Sequence, residues 1–274
     1  MFRKVVVVSR VDREDAVKLS SQIIDFIRGK GLTVTPENRL ASKLGVEGES
    51  LNRVKGDLVV VVGGDGTVLW TIHNMATQIP LFVIKFGRVG FFADVTPEEA
   101  FSALEKVFHG NYMLEECLML KTSLDLPEAL NEVRIGTLVP QQMVDISVFV
   151  EGERVAKDRV DAIVVATPVG SSAYALSAGA NIVDPNLEAF LIVPICPLSS
   201  NFKPHVIPTN FTVTIKPESQ TEYLVLVDGQ IKKTFTQPLT IKIWKSERKT
   251  VFVRTRKNFY ERLRRRLNVS CVDF

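Results

Sequence analysis

An open α/β domain followed by an all-β domain is expected for this chain of 274 residues. The first observation is an alternation of short apolar runs with helical patterns before about residue 115. The second is a change of texture after that point, to recurring β-rich segments separated by turns. The third is a closing amphipathic stripe, Phe259, Leu263 and Leu267, spaced four apart on one helical face.

The elements follow in order. Val5 to Val8 is β-branched and unbroken, as in a strand buried on both faces. Arg10, Asp12, Arg13 and Glu14 follow at once, so the N-terminus reads as a strand and not a leader peptide. Ala16, Ser20, Ile23, Ile24 and Ile27 mark a helix that Gly29 and Gly31 end. Residues 32–35, 58–62 and 81–84 are the next strands, and 68–74 is a helix. Thr96, Pro97 and Glu99 make a helix start of the capping-box type. Phe101, Leu104 and Phe108 form its stripe, and Gly110 stops it. Strands alternating with helices imply a parallel sheet. The β-rich segments are 118–124, 143–150, 162–166, 211–215, 223–227, 239–243 and 250–253. Glu151-Gly152 and Asp228-Gly229 serve as turns between them, as in a β-sandwich. The expected division is a Rossmann-like open α/β domain over 1–115, a β-sandwich over 116–254, and a helix over 255–274 packing back on the first domain.

Composition excludes several classes. Hydrophobic residues make up 46% and charged residues 24%, an ordinary globular balance. A net charge of +3 argues for no nucleic-acid partner. No apolar run reaches the roughly 18 residues of a membrane span. The basic group Arg262, Arg264, Arg265 and Arg266 is expected to be a solvated helix face. Cys117, Cys196 and Cys271 are too scattered for a disulfide framework or a zinc site, which fits a reducing cytoplasm. His73, His109 and His205 lack metal spacing.

Gly63-Gly64-Asp65-Gly66-Thr67 follows a buried strand and precedes a helix. Its glycines let the backbone turn tightly and approach a ligand, and a helix start suits phosphate. A carboxylate at Asp65 can accept a hydroxyl proton or help hold a nucleotide-bound metal ion. No Lys-Ser/Thr pair follows, so this is not a Walker A loop. The motif resembles that of NAD kinases, lipid and sphingosine kinases, and phosphofructokinases.

Three further segments resemble NAD kinases in particular. They are Asn131-Glu132, the run from Asp161 to Gly179 that contains Thr167-Pro168-Val169-Gly170-Ser171-Ser172, and Asp228-Gly229-Gln230. Pro194-Ile195-Cys196-Pro197-Leu198-Ser199 and Phe259-Tyr260-Glu261-Arg262-Leu263 are also similar to family segments. The resemblance implies phosphoryl transfer from ATP or polyphosphate, with Mg²⁺ or another divalent cation carried on phosphates and no direct protein ligand to the metal. The acceptor would be the adenosine 2′-hydroxyl of NAD, giving NADP.

By the same resemblance Asp65 is the catalytic carboxylate, and Gly63, Gly64, Gly66 and Thr67 hold the donor phosphates. NAD would be bound by Asp65, Gly66, Asn131, Glu132, Ser172, Ala173, Tyr174, Ala175, Leu176, Ser177 and Gln230. Arg159 and Asp161 would reach the NAD of a neighbouring subunit, which implies a homodimer or homotetramer. Two departures stand out: Lys85 where the family has Asn, and Leu198 where many members have His. A lipid or sphingoid-base kinase, and a non-catalytic NADP-binding sensor, are the competing expectations.

Overall fold

The computed structural model describes residues 2–86, 90–93, 95–138, 142–218, 222–257 and 259–267. The chain forms two compact units, Met1–Glu116 with Thr250–Phe274, and Cys117–Lys249. Arg88, beside the Lys85 departure, and Cys271 lie outside the described residues.

The first unit begins with β1 (Lys4–Ser9), α1 (Glu14–Gly29), β2 (Thr33–Pro36) and α2 (Asn38–Leu44). Then come β3 (Leu58–Gly63), α3 (Asp65–Asn74), β4 (Leu81–Lys85), α4 (Ala100–Phe108) and the start of β5 (Met113–Thr122). The end of β15 (Ile241–Arg254) and α6 (Phe259–Arg266) complete it. Its strands run β2-β1-β3-β4-β15, with parallel pairing throughout. The strand order reverses between β1 and β3, the place where open sheets of this kind bind ligands.

Residues on one face of this sheet (Val5, Val7, Val60, Val62, Phe82, Ile84) share a core with α1 and α4. Lys85 alternates with Ile84 and so lies on the opposite face, with Gly63 as its register partner. Thr96 and Glu99 behave as a capping pair, the Thr96 amide donating to the Glu99 carboxylate at 3.0 Å, although α4 itself starts only at Ala100.

The second unit is a sandwich of antiparallel sheets. It contains β6 (Glu132–Thr137), β7 (Val144–Val150), β8 (Glu153–Val160), β9 (Ala162–Ala166) and the single-turn α5 (Tyr174–Ser177). β10 (Ala189–Ile195), β11 (His205–Pro208), β12 (Val213–Pro217), β13 (Tyr223–Val227) and β14 (Ile231–Phe235) follow. One sheet runs β11-β10-β9-β6-β13-β14; the other places β12 between β7 and β15, with β8 at its edge. Val133, Ile135, Ile163 and Val165 from the first meet Val144, Ile146, Val148 and Ile215 from the second in one core.

Several elements differ from expectation. Segments 239–243 and 250–253 are one strand, because β15 continues unbroken from Ile241 to Arg254. β8 escapes the pattern because most of Glu153–Val160 is exposed, as an edge strand allows. β10 carries Pro194, and β6 begins inside the Asn131-Glu132 motif, so neither reads as a strand in sequence. The basic group is not a solvated face throughout. Arg262 is 3% exposed and pairs with Glu115 at 2.7 Å, beside an equally buried Arg254.

Candidate active site

The structure moves Asp65 from a loop to the first turn of a helix. α3 starts at Asp65, with Gly64 as its N-cap in extended conformation. Asp65, Gly66 and Thr67 therefore sit at the positive end of the α3 dipole. A side chain at Gly63 would come within 2.5 Å of the Thr67 hydroxyl, so the strand can meet the helix this closely only with glycine there.

The Asp65 carboxylate is held from several sides. Oδ1 accepts from the backbone N–H groups of Phe91 and Phe92 at 2.9 and 3.0 Å. Oδ2 accepts from the Phe91 N–H at 2.9 Å and from the Arg266 guanidinium at 3.2 Å. A side chain at Gly90 would lie 2.7 Å from Oδ1. The carboxylate is thus fixed in direction and still about a quarter exposed. This is the arrangement of a preorganised proton acceptor or hydroxyl anchor. Sequence reasoning missed Arg266, which lies 201 positions away; nothing short of the fold signals the pairing.

Among the described residues, no group of three His, Cys, Asp or Glu side chains is placed to enclose a metal ion. The Asp65 oxygens already accept from three amide bonds or a cation. Lys85 has no ion-pair partner among the described residues.

In the second unit the Asn131-Glu132 and Thr167-to-Ser172 motifs are built as one piece. The Asp228 carboxylate accepts from the N–H groups of Leu130, Asn131 and Glu132 at 2.8, 2.7 and 3.0 Å. The Thr167 hydroxyl donates to the Leu130 carbonyl at 2.6 Å and accepts from the Gly170 N–H at 3.0 Å. The Thr167 N–H donates to the Asn131 carbonyl at 2.9 Å. Gly170 packs directly on the Asn131 backbone, where any Cβ would overlap the carbonyl. Asp228 thus proves to be a scaffold residue, with φ of +48° at its turn.

The remaining predicted residues divide by exposure. Ser172 is buried, its hydroxyl donating to the Val169 carbonyl at 2.9 Å, and Ala175 is fully buried. Ala173 and Leu176 are half-buried, while Tyr174, Ser177 and Gln230 are exposed. Tyr174 and Ser177 line a hollow of about 250 Å³ with Ala178, Ile195 and Cys196. Cys196 hydrogen-bonds the Asp161 carboxylate, whose proximity pushes the thiol above its ordinary value. Arg159 reaches Asp145 at 3.6 Å from the edge strand β8. Its carbonyl accepts from the N–H of Leu198, whose side chain is exposed.

Residues 5–112 match the ATP-NAD kinase N-terminal domain, and residues 130–255 match the ATP-NAD kinase C-terminal domain. The NAD kinase of Methanoculleus marisnigri is 39% identical over 267 residues, covering 96% of this chain and 98% of its own. That of Methanothermobacter thermautotrophicus is 36% identical, covering 97% of each chain. The crystal structure of an NAD kinase from Archaeoglobus fulgidus in complex with ATP superposes with a TM-score of 0.82 at 30% identity, over 96% of this chain and 99% of that one. Yeast NADH kinase complexed with NADH shares the fold, with a TM-score of 0.87 at 22% identity over 99% of this chain and 89% of that one. Matched along almost its whole length, this chain belongs to the NAD kinase family.

Proposed function

We propose that this chain transfers the terminal phosphoryl group of ATP to the adenosine 2′-hydroxyl of NAD. The observation that carries the reading is the Asp65 carboxylate, fixed by Phe91 and Phe92 amides at the start of α3 in a chain of this family. In this reaction the 2′-oxygen forms a bond to the γ-phosphorus, the bond to the β–γ bridging oxygen breaks, and ADP leaves. Asp65 orients the hydroxyl and accepts its proton. Gly63, Gly64, Gly66 and Thr67 lie along the donor phosphates, where the α3 dipole favours negative charge. A divalent cation on those phosphates offsets their charge when bound.

In the second unit, Asn131 and Glu132 contact the adenosine half of NAD, with Ser172, Ala173, Tyr174, Ala175, Leu176, Ser177 and Gln230 around the nucleotide. Support comes from the shared scaffold of Asp228, Thr167 and Gly170 under these motifs. Arg159 and Asp161 serve a neighbouring subunit's NAD, in a homodimer or homotetramer. The two free cysteines among the described residues, Cys117 and Cys196, suit a reducing cytoplasm. The lipid-kinase and sensor readings draw no support from the relatives, which are named NAD kinases.

The test is incubation of the pure protein with NAD, Mg²⁺ and a panel of donors while NADP is followed. NADP formation with ATP is expected. Phosphorylation of a sphingoid base instead of NAD, or NADP binding without turnover on any donor, contradicts the reading.

A further inference from the structure

We propose that Arg266 is a working residue of the phosphoryl-transfer site. It holds the Asp65 carboxylate while no acceptor is bound. When the acceptor hydroxyl takes its place on Oδ2, the guanidinium turns to the donor's terminal phosphate. The inference rests on the reading of Asp65 given above.

The partners of Asp65 are of different kinds. Phe91 and Phe92 donate from the backbone at 2.9 to 3.0 Å and cannot leave without moving the chain. Arg266 is the one side-chain partner among the described residues, at 3.2 Å, and its own side chain is 30% exposed. It sits on the last position of α6. An incoming hydroxyl can displace a long, partly exposed side chain, whereas it cannot displace the amides. A displaced guanidinium keeps its charge, and its planar fork matches two phosphate oxygens. The nearest large negative charge during the reaction is the phosphoryl group in transfer.

α6 does not need Arg266 to stay in place. Arg262 is 3% exposed and pairs with Glu115. Leu263 is buried, and Phe259 meets Phe91 edge-on at 5.7 Å. Arg262 also lies over the Phe91 ring at 5.6 Å. The helix is therefore anchored beside the same Phe91 whose amide fixes Asp65. A cation at a helix C-terminus is favourable by itself, but that role predicts no effect on turnover.

The experiment compares the full chain with Arg266→Ala, Arg266→Lys and Asp65→Asn in the NADP-forming assay with ATP. Unfolding midpoints are measured alongside. Arg266→Ala is expected to lower kcat by about 10- to 100-fold, as loss of a charge-stabilising donor does. Its KM for NAD should stay within about threefold, since the contact is made in the transition state. Its midpoint should match wild type. Arg266→Lys should recover part of the loss, and guanidinium chloride below its denaturing range should restore part of the Arg266→Ala turnover. Wild-type kcat in Arg266→Ala overturns the proposal, as does a loss that follows a lowered midpoint and resists guanidinium. If Asp65→Asn has lost turnover while Arg266→Ala keeps it, the inference falls and the role of Asp65 stands. If neither substitution changes turnover, both fall.

Discussion

The carboxylate of Asp228 accepts the backbone N–H of Asn131 at 2.7 Å across 97 positions of chain. Leu130 and Glu132 donate to the same carboxylate. Asp228 is 4% exposed, so these bonds are made away from water. Asp228→Ala leaves three backbone donors unsatisfied. It should lower the free energy of unfolding by on the order of 3 kcal/mol, read by urea denaturation. The affinity for NAD should fall with it, because the Asn131-Glu132 loop is no longer held.

Gly90 guards the direction of the other key carboxylate. A methyl group there would lie 2.7 Å from Oδ1 of Asp65, and the backbone bonds leave the carboxylate no room to give. Gly90→Ala should therefore force the carboxylate out of place, costing about 1–3 kcal/mol of stability and lowering kcat by about 10- to 100-fold, the usual consequence of a misplacement near 1 Å. Steady-state kinetics together with a thermal melt separates the two effects.

Much of this was legible in the residues. The unbroken β-branched strands, the glycine-rich turn and the helical stripe of 259–267 all express local rules. The substrate motifs lie about a hundred positions from Asp65, and they were readable only as a resemblance. What could not be read is what depends on long-range pairing. Asp228 reads as a hairpin turn, which it is, but nothing local shows that its carboxylate also carries the Asn131-Glu132 segment. Arg262 and Arg266 looked like a solvated face, because a run of like charges carries no sign of the partly buried Glu115 or of Asp65 that meet it. Edge strand β8 was missed because its core-facing side carries Arg154 and Asp158 beside Ala156 and Val160, too few apolar residues for an alternation to show.

The buried pair of Arg254 and Arg262 on Glu115 makes a pH prediction. Burial alone would raise the Glu115 carboxyl, but the two guanidinium charges outweigh it and hold the group below its ordinary value of 4.5. A carboxyl lowered in the folded state contributes stability that is fully present above 4.5 and is lost as pH falls through the folded value. Wild type should thus weaken toward urea when taken from about pH 6 to about pH 3.5. Glu115→Gln removes the anion from two buried cations and should cost about 3–5 kcal/mol at pH 6. Its remaining stability should depend less steeply on pH over the same interval.

Asp65→Asn tests the account most directly. The amide keeps the size of the side chain and removes the proton acceptor. With NAD and ATP saturating, kcat for NADP formation should fall by on the order of 10²–10⁴ while the fold, checked by circular dichroism, is retained. Turnover within about threefold of wild type would contradict the assignment of Asp65 as the group that receives the hydroxyl proton.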